Sequence, residues 1–435
     1  MKKVLFISYY WPPAGGAPVQ RILKFVQYLQ KYDWQPVILT IDKGDFPFID
    51  ESLTHEVDPD IPVYRSSGLS LHRFLKRLAA RSNKNFIPYG FTDSSKATTM
   101  EKLSRWVKYN VIPDTRIPWY FSSVRRAIDI VKKENIDLIF SSSPPQTNHI
   151  IAARVARQTG LPWVADFRDP WTDVFWLQDR SIRMGFIHRI DRWIEKRTMR
   201  KMDAIITVSR YYASLLGKKT DHEVITIPNG FDQKYFSDIS YSPGKRFKIT
   251  FSGSMSKEQD PSCFFDAIEL IKSDKDFMAD LEIIFEGNFP PFLHEVVANR
   301  GIKDNVIFTP YTRMQDAIKT MIHSDLLLLI IPNTTGNHGI LSLKVFDYIG
   351  SGRPILAYGP INGDAARLIN DVDAGVMFSY SDAIPSANHI RNQWLRWKAG
   401  EVIERSTNTA GYSRLNLAGH LAKVFDDTIT SKSHK

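Results

Sequence analysis

Val4-Leu5-Phe6-Ile7-Ser8 is followed by Trp11-Pro12-Pro13-Ala14-Gly15-Gly16, and then by Val19, Ile22, Leu23, Val26 and Leu29 ahead of Pro36-Val37-Ile38-Leu39-Thr40. The first run is apolar but too short for a helix, and the turn-forming residues through Gly15-Gly16 end it. The next five apolar residues recur at helical spacing, so the stretch predicts strand, glycine loop, helix, strand. The grammar returns at Ile136-Asp137-Leu138-Ile139-Phe140, a helix over 150–157, Trp163-Val164-Ala165, and Ala204-Ile205-Ile206-Thr207-Val208. Short apolar strands alternating with helices predict an α/β architecture with buried parallel strands.

Near residue 240 the pattern restarts. Tyr241-Ser242-Pro243-Gly244-Lys245 reads as a turn-rich linker, and Lys248-Ile249-Thr250-Phe251-Ser252-Gly253 as a second strand-to-glycine junction. Further strands are predicted at 281–285, 306–308, 326–331 and 354–358. Two facing Rossmann-like domains follow, residues 1–240 and 241–435, with a cleft at the carboxyl ends of both sheets and the last helix expected to pack back toward the first domain.

The 435 residues are 43% apolar and 24% charged, the composition of an ordinary globular protein with room for two cores. The single cysteine, Cys263, cannot form an internal disulfide and, beside Phe264 and Phe265, reads as a core residue. No apolar run reaches the roughly 18 residues of a bilayer span. Lys2-Lys3 and the strand after them lack a small-residue cleavage site, so a cytoplasmic protein is expected. The net charge of +10 is unevenly placed: Lys and Arg exceed Asp and Glu by 11 across residues 1–200 and fall one short across 201–435. The first domain is therefore expected to meet an anionic surface, although a merely solvated basic face reads the same way. Residues 65–121 interrupt the first domain's alternation. Leu71, Phe74, Leu75 and Leu78 make an apolar face beside Arg73, Lys76, Arg77 and Arg81, and Leu103, Trp106, Val107 and Tyr109 follow with Lys102, Arg105 and Lys108. Such a basic amphipathic insertion suits either a membrane interface or packing on its own domain.

The strongest chemical signal is Gly339-Ile-Leu-Ser342-Leu343-Lys344-Val-Phe-Asp347-Tyr-Ile-Gly-Ser-Gly352-Arg-Pro354. A helix beginning near Ser342 would point its amides at a phosphate, with the Ser342 hydroxyl and the Lys344 ammonium as further donors. Asp347 falls about one and a half turns on, where a carboxylate can accept both hydroxyls of a ribose. Gly352 then closes the helix. The stretch resembles the donor-site motif of retaining GT-B glycosyltransferases of family 4. In that family a Glu-x7-Glu helix followed by small-Gly-Lys/Arg-Pro binds the nucleotide sugar. The resemblance puts Asp347 on the second, ribose-binding acid, whereas the first falls on Gly339; the sequence follows instead the variant Ser-x-Lys-x-Phe-Glu/Asp-Tyr.

The resemblance continues along nearly the whole chain. It implies that the Gly15-Gly16 loop approaches the donor diphosphate and the acceptor, where a side chain would be in the way. Val208-Ser209 and Ile227-Pro228-Asn229-Gly230-Phe231-Asp232 with Phe236 resemble the signature that ends the family's first domain. Phe251-Ser252-Gly253-Ser254-Met255-Ser256-Lys257 stands where the family has Gly-Arg and a later Lys-Gly, two cations that neutralise the leaving diphosphate. Ser254 replaces the Arg, leaving Lys257, with Lys344 as a further source of charge. Asp166-Phe167-Arg168-Asp169-Pro170-Trp171 resembles a subset from bacterial surface-polysaccharide pathways, with Arg168 at the position of a frequent His. Asp166 or Asp169 would orient or deprotonate the acceptor hydroxyl, and Arg168 would hold a phosphate; a structural Asp-Arg-Asp network capping the strand is the alternative. Ser141-Ser142-Ser143-Pro144-Pro145-Gln146 is expected beside them, with His149 on a helix face. Gly287, Thr309 and Tyr311 fall where the family holds the donor base.

Asp371-Val372-Asp373 lacks the preceding strand of an Asp-x-Asp metal motif, and the histidines show no ligand spacing, so no metal or other cofactor is expected. The function implied is a metal-independent retaining glycosyltransferase moving a sugar from a nucleoside diphosphate, UDP first, to a glycan or lipid-linked glycan at the inner face of a bacterial membrane. Peripheral membrane contact through the first domain and no nucleic-acid partner are implied with it. A sugar-nucleotide epimerase on the same fold, and a non-catalytic nucleotide- or glycan-binding protein, are the alternatives.

Overall fold

The computed structural model describes residues 1–46, 49–68, 106–107, 109–174, 177, 183–237, 239–401 and 407–433. The basic stretch at 71–81 lies outside the described residues, and of 102–109 only Trp106, Val107 and Tyr109 lie within them. The chain divides into two units, Met1–Pro228 with Leu417–Lys435, and Asn229–Asn416. The division falls after Pro228 and not near 240, because Phe231 and Phe236 are buried in the core of the second unit.

In the first unit β1 (Lys2–Ile7), β2 (Trp34–Ile41), β3 (Val63–Ser66), β4 (Leu138–Ser143), β5 (Trp163–Phe167), β6 (Ala204–Thr207) and β7 (Val224–Thr226) form a parallel sheet of order β3-β2-β1-β4-β5-β6-β7. Its described helices are α1 (Ala17–Leu29), α2 (Tyr120–Glu134), α3 (Thr147–Thr159), α4 (Gly185–Met199) and α5 (Arg210–Gly217), with most of the C-terminal helix Arg414–Ser433. The strand period of two assigns the apolar residues to opposite faces. Val4, Phe6, Leu138 and Phe140 join Ile22, Leu23 and Val26 of α1 and Leu421 and Phe425 of the C-terminal helix in one core. Leu5, Ile7, Val37 and Ile139 join Ile130 of α2 and Ile151 and Val155 of α3 in the other. Phe425 lies edge-on to Trp34, Phe140 and Phe6 at 5.1, 5.6 and 6.5 Å, which seats the last helix on the first sheet.

The second unit repeats the plan. Strands β8 (Phe247–Ser252), β9 (Leu281–Glu286), β10 (Val306–Thr309), β11 (Leu326–Ile330), β12 (Ile355–Tyr358) and β13 (Gly375–Phe378) run parallel in the order β10-β9-β8-β11-β12-β13. The described helices are α6 (Ser262–Ile271), α7 (Lys275–Asp280), α8 (Phe292–Asn299), α9 (Met314–Ile322), α10 (Leu343–Ser351), α11 (Asp364–Asp371) and α12 (Ala383–Lys398). One core takes Phe251, Phe285 and Leu328 with α6, α8 and α12; the other takes Leu327 and Leu329 with α9, α10 and α11. In each sheet the strand order reverses direction between the first strand and the fourth, β1 beside β4 and β8 beside β11. Loops leaving such neighbours on opposite faces open a crevice at their carboxyl ends, where ligands of doubly wound sheets bind. Both glycine junctions singled out in the sequence, Gly15-Gly16 after β1 and Gly253 after β8, lie at these positions.

Candidate active site

In the second unit the backbone itself is the first part of the site. Gly253 has φ +104° and Gly287, after β9, φ +134°. A Cβ on Gly287 would lie 2.4 Å from the Gly253 carbonyl oxygen, and one on Gly253 would lie 2.8 Å from Cε of Lys344. Glycine is therefore required at both positions, and the two strand ends and the lysine stem touch. Hydrogen bonds from Gly253 N to Glu286 O (2.7 Å) and from Gly287 N to Thr309 O (3.0 Å) order this edge. Glu286 is buried beneath it, accepting from Ser252 Oγ at 3.0 Å and Thr312 Oγ1 at 2.7 Å.

Helix α10 is fixed above these ends. The buried Tyr348 hydroxyl accepts from Ser252 N at 3.0 Å and donates to Leu328 O at 3.2 Å, tying the helix to β8 and β11 together. Ser342 is its N-cap residue, extended at φ −66° and ψ 156°, yet makes no side-chain cap bond, and no acid stands in the first turn. Its Oγ is buried with no hydrogen-bond partner among the described residues. A serine normally satisfies itself on the helix amides; here neither that hydroxyl nor the helix terminus that Leu343 opens is capped by a side chain, an arrangement able to receive an anion. Lys344 stands beside them, half-buried, donating to Ser254 O at 2.5 Å with its ammonium 4.3 Å from the Phe251 ring centroid. Burial pushes its pKa down to about 7, and no carboxylate offsets that shift. Asp347, one turn further, is pushed up to about 7 by burial against the opposing pull of Arg414.

The remaining expected donor residues spread along the same strand ends. Thr309 closes β10 and its carbonyl holds Gly287. Tyr311 is 57% exposed, and Ser254 is exposed with its carbonyl turned to Lys344. Lys257 sits on an exposed turn. That turn is anchored where Gln259 Nε2 donates to Ile330 O at 2.7 Å and Asn333 N to Glu258 O at 2.9 Å, which places it beside the loop entering α10. Gly339 ends a short 3-10 turn, Asn337–Gly339, in that loop.

In the first unit Gly15 is buried and Gly16, at φ +93°, is the N-cap of α1. Asp166 is fully buried at the end of β5. Arg21 of α1 grips it from two sides, Nη2 to Oδ1 at 2.9 Å and Nε to Oδ2 at 3.1 Å, and Ser142 Oγ donates to Oδ2 at 2.7 Å. The same guanidinium donates to the Pro228 and Ile227 carbonyls, each at 2.9 Å. Both carboxylate oxygens are engaged and the side chain has no exposed surface, so Asp166 is a positioning residue that locks the start of α1 to β5 and the end of the first unit. Arg168 and Asp169 lie just beyond, half-buried, with Nη2 and Oδ2 3.5 Å apart. Nε and Nη1 of Arg168 are buried without a partner among the described residues, and burial raises the pKa of Asp169. His149 faces the core and not the surface. Its ring packs tilted against Phe167, centroids 4.5 Å apart, with Nδ1 2.8 Å from Ser141 Oγ, and burial drives its pKa down to about 3. Asp114 caps α3 from a distant segment, accepting from Thr147 N at 2.8 Å and Oγ1 at 2.9 Å.

Solved structures share this architecture from end to end. HepE from Anabaena, solved with UDP and glucose, matches with TM-score 0.61 and 14% identity over 98% of this chain and 100% of its own. Sucrose-phosphate synthase from Thermosynechococcus elongatus matches with TM-score 0.64 and 13% identity over 99% and 100%. WaaG, a glycosyltransferase involved in lipopolysaccharide biosynthesis, matches with TM-score 0.54 and 13% identity over 97% and 99%. At such identities these similarities establish the fold. Residues 19–235 match the model of Glycosyltransferase Family 4.

The chain is a GT-B glycosyltransferase of the family 4 type.

Among curated proteins the sequence finds no significant match. Within this glycosyltransferase, sequence reasoning missed Arg21, Arg414, Phe251 and Tyr348. The first two act on carboxylates far away in sequence, which no local spacing reveals. Tyr348 was visible as part of the Asp347-Tyr348 pair, but its hydroxyl reads as an anchor only once β8 and β11 are known to be neighbours.

Proposed function

We propose that the enzyme transfers a sugar, with retention at the anomeric carbon and without a metal, from a UDP-sugar to a glycan or lipid-linked glycan in bacterial surface-polysaccharide synthesis. It would work in the cytoplasm in peripheral contact with the inner membrane face. The observation that carries this reading is the uncapped start of α10, where the orphan Ser342 hydroxyl and Lys344 meet the glycine-lined ends of β8 and β9. The solved complex of HepE with UDP and glucose supports UDP as the nucleotide, and WaaG's role in lipopolysaccharide biosynthesis supports the acceptor class.

In this reading the second unit binds the donor and the first the acceptor. Gly253, Ser254, Gly287, Ser342 and Leu343 surround the diphosphate, Asp347 accepts from the ribose hydroxyls, and Thr309 and Tyr311 hold the base. As the glycosidic bond breaks, its electron pair leaves on a phosphate oxygen, and Lys344 with Lys257 neutralises the growing charge, the task a metal performs in other transferases. The acceptor oxygen bonds to the anomeric carbon and gives up its proton. Asp169, whose pKa burial raises, is the better placed base, and Arg168 offers unsatisfied donors to an acceptor phosphate. Gly15 and Gly16 leave room for the acceptor.

Asp347→Asn should weaken UDP binding by about ten- to a hundredfold, the worth of hydrogen bonds to a charged acceptor, with unchanged melting temperature. Calorimetry with UDP, GDP, ADP and dTDP, then turnover of the preferred nucleotide's sugar with and without a lipid-diphosphate acceptor, tests the whole reading. Sugar conversion without acceptor would identify an epimerase, and binding without turnover a non-catalytic protein.

A further inference from the structure

Helix α4 buries its acids beside Ile187 and Met199. Its two acids face inward: Asp191 accepts from Trp171 Nε1 at 3.0 Å and pairs with Arg183 at 2.6 Å, and Glu195 pairs with Lys219 at 2.8 Å. Its outer face instead carries Phe186, Ile190 and Trp193, exposed by 59, 47 and 60%. At i, i+4 and i+7 these three make one stripe along a helix about 22 Å long. Cations flank the stripe. Arg189, Lys196 and Arg200 follow one side at the same helical spacing, Arg197 stands on the other with its guanidinium 5.4 Å from the Trp193 ring, and none forms an ion pair among the described residues. The helix therefore presents no outward acid. The patch continues past its start, where Asn110 Oδ1 accepts from Met184 N at 3.1 Å and Asn110 Nδ2 donates to Trp106 O at 2.9 Å, bringing the exposed Trp106 alongside.

We propose that the outer face of α4, extended by Met184 and Trp106, is the surface through which the first unit lies on an anionic phospholipid bilayer. This deepens the membrane contact proposed above and rests on that reading for the kind of partner; the location is carried by α4 alone. A soluble surface that exposes aromatic and aliphatic side chains in one line marks a contact. Protein interfaces also enrich Trp and Arg, but here three arginines and a lysine border the stripe with no acid among them, which matches a headgroup layer of negative charge over hydrocarbon. Among the described residues no helix is long and apolar enough to cross a membrane, so attachment would be interfacial.

The test is flotation of the full-length protein with vesicles of phosphatidylcholine alone and of phosphatidylcholine mixed with phosphatidylglycerol, at low and high salt. Binding to the mixed vesicles is expected, reduced by salt, with a blue-shifted tryptophan emission. Phe186→Ser/Ile190→Ser/Trp193→Ser should weaken it at least about tenfold, and Arg189→Gln/Arg197→Gln/Arg200→Gln should abolish the preference for anionic lipid. Both variants should keep the wild-type melting temperature and the wild-type UDP affinity by calorimetry, so that failure here is distinguishable from failure of the donor-site reading. Absence of wild-type binding, or equal binding by the triple-serine variant, overturns the proposal. So does a wild-type dimer that the triple-serine variant dissolves while vesicle binding is unchanged.

Discussion

Lys344→Ala should lower sugar transfer by about a hundred- to a thousandfold at saturating donor, the loss seen when one preorganised donor to a developing negative charge is removed. The ammonium is held by the Ser254 carbonyl and the Phe251 ring rather than by a carboxylate, so its charge is uncommitted when the leaving diphosphate forms. Donor affinity should fall less than turnover, because the interaction strengthens as the bond breaks. Single-turnover transfer beside UDP calorimetry separates the two. A loss confined to affinity would make Lys344 a binding residue and shift the catalytic burden to Lys257.

Asp166→Ala should remove about 3–5 kcal/mol of stability, because it leaves the fully buried Arg21 guanidinium without its counter-ion. Chemical unfolding would show it as a lower midpoint. The double variant Arg21→Met/Asp166→Leu should recover much of that loss, since an apolar pair of similar volume avoids the buried charge. Asp169→Asn should leave stability near wild type and reduce transfer. If Asp166→Asn instead abolished transfer with an unchanged unfolding midpoint, Asp166 would return to the chemistry and the positioning role would fail.

Local physics made part of this molecule legible before its structure. The strand period and the glycine junctions announced both sheets, since Val4, Leu5, Phe6 and Ile7 can all be buried in succession only in a strand covered on both faces. Ser342, Lys344 and Asp347 could be grouped from the sequence because the start of one helix holds them at fixed spacing. What stayed hidden depends on distant pairings. The Arg21 grip on Asp166, the seat of Phe425 among Phe6, Trp34 and Phe140, and the nearness of Arg414 to Asp347 join residues that no periodicity links. The boundary after Pro228 was hidden for a similar reason. Turn-forming residues at 241–245 announce a linker, but burial of Phe231 and Phe236 commits the chain to the second unit earlier.

Proton uptake on UDP binding tests the central claim most directly. In the free protein Lys344 titrates at about 7, so above that pH it is mostly neutral, and a diphosphate at the start of α10 must draw a proton onto it. Asp347 works in the opposite sense, since burial holds it protonated below about 7 and the ribose hydroxyls favour the carboxylate; at alkaline pH it is already ionised and contributes little. Calorimetry of UDP at about pH 8, in two buffers of different ionisation heat, should therefore show uptake of most of one proton, with affinity falling as pH rises further and both effects missing in Lys344→Met. UDP binding with no proton exchange, equally strong across that range and unchanged in Lys344→Met, would contradict a diphosphate seat at Lys344.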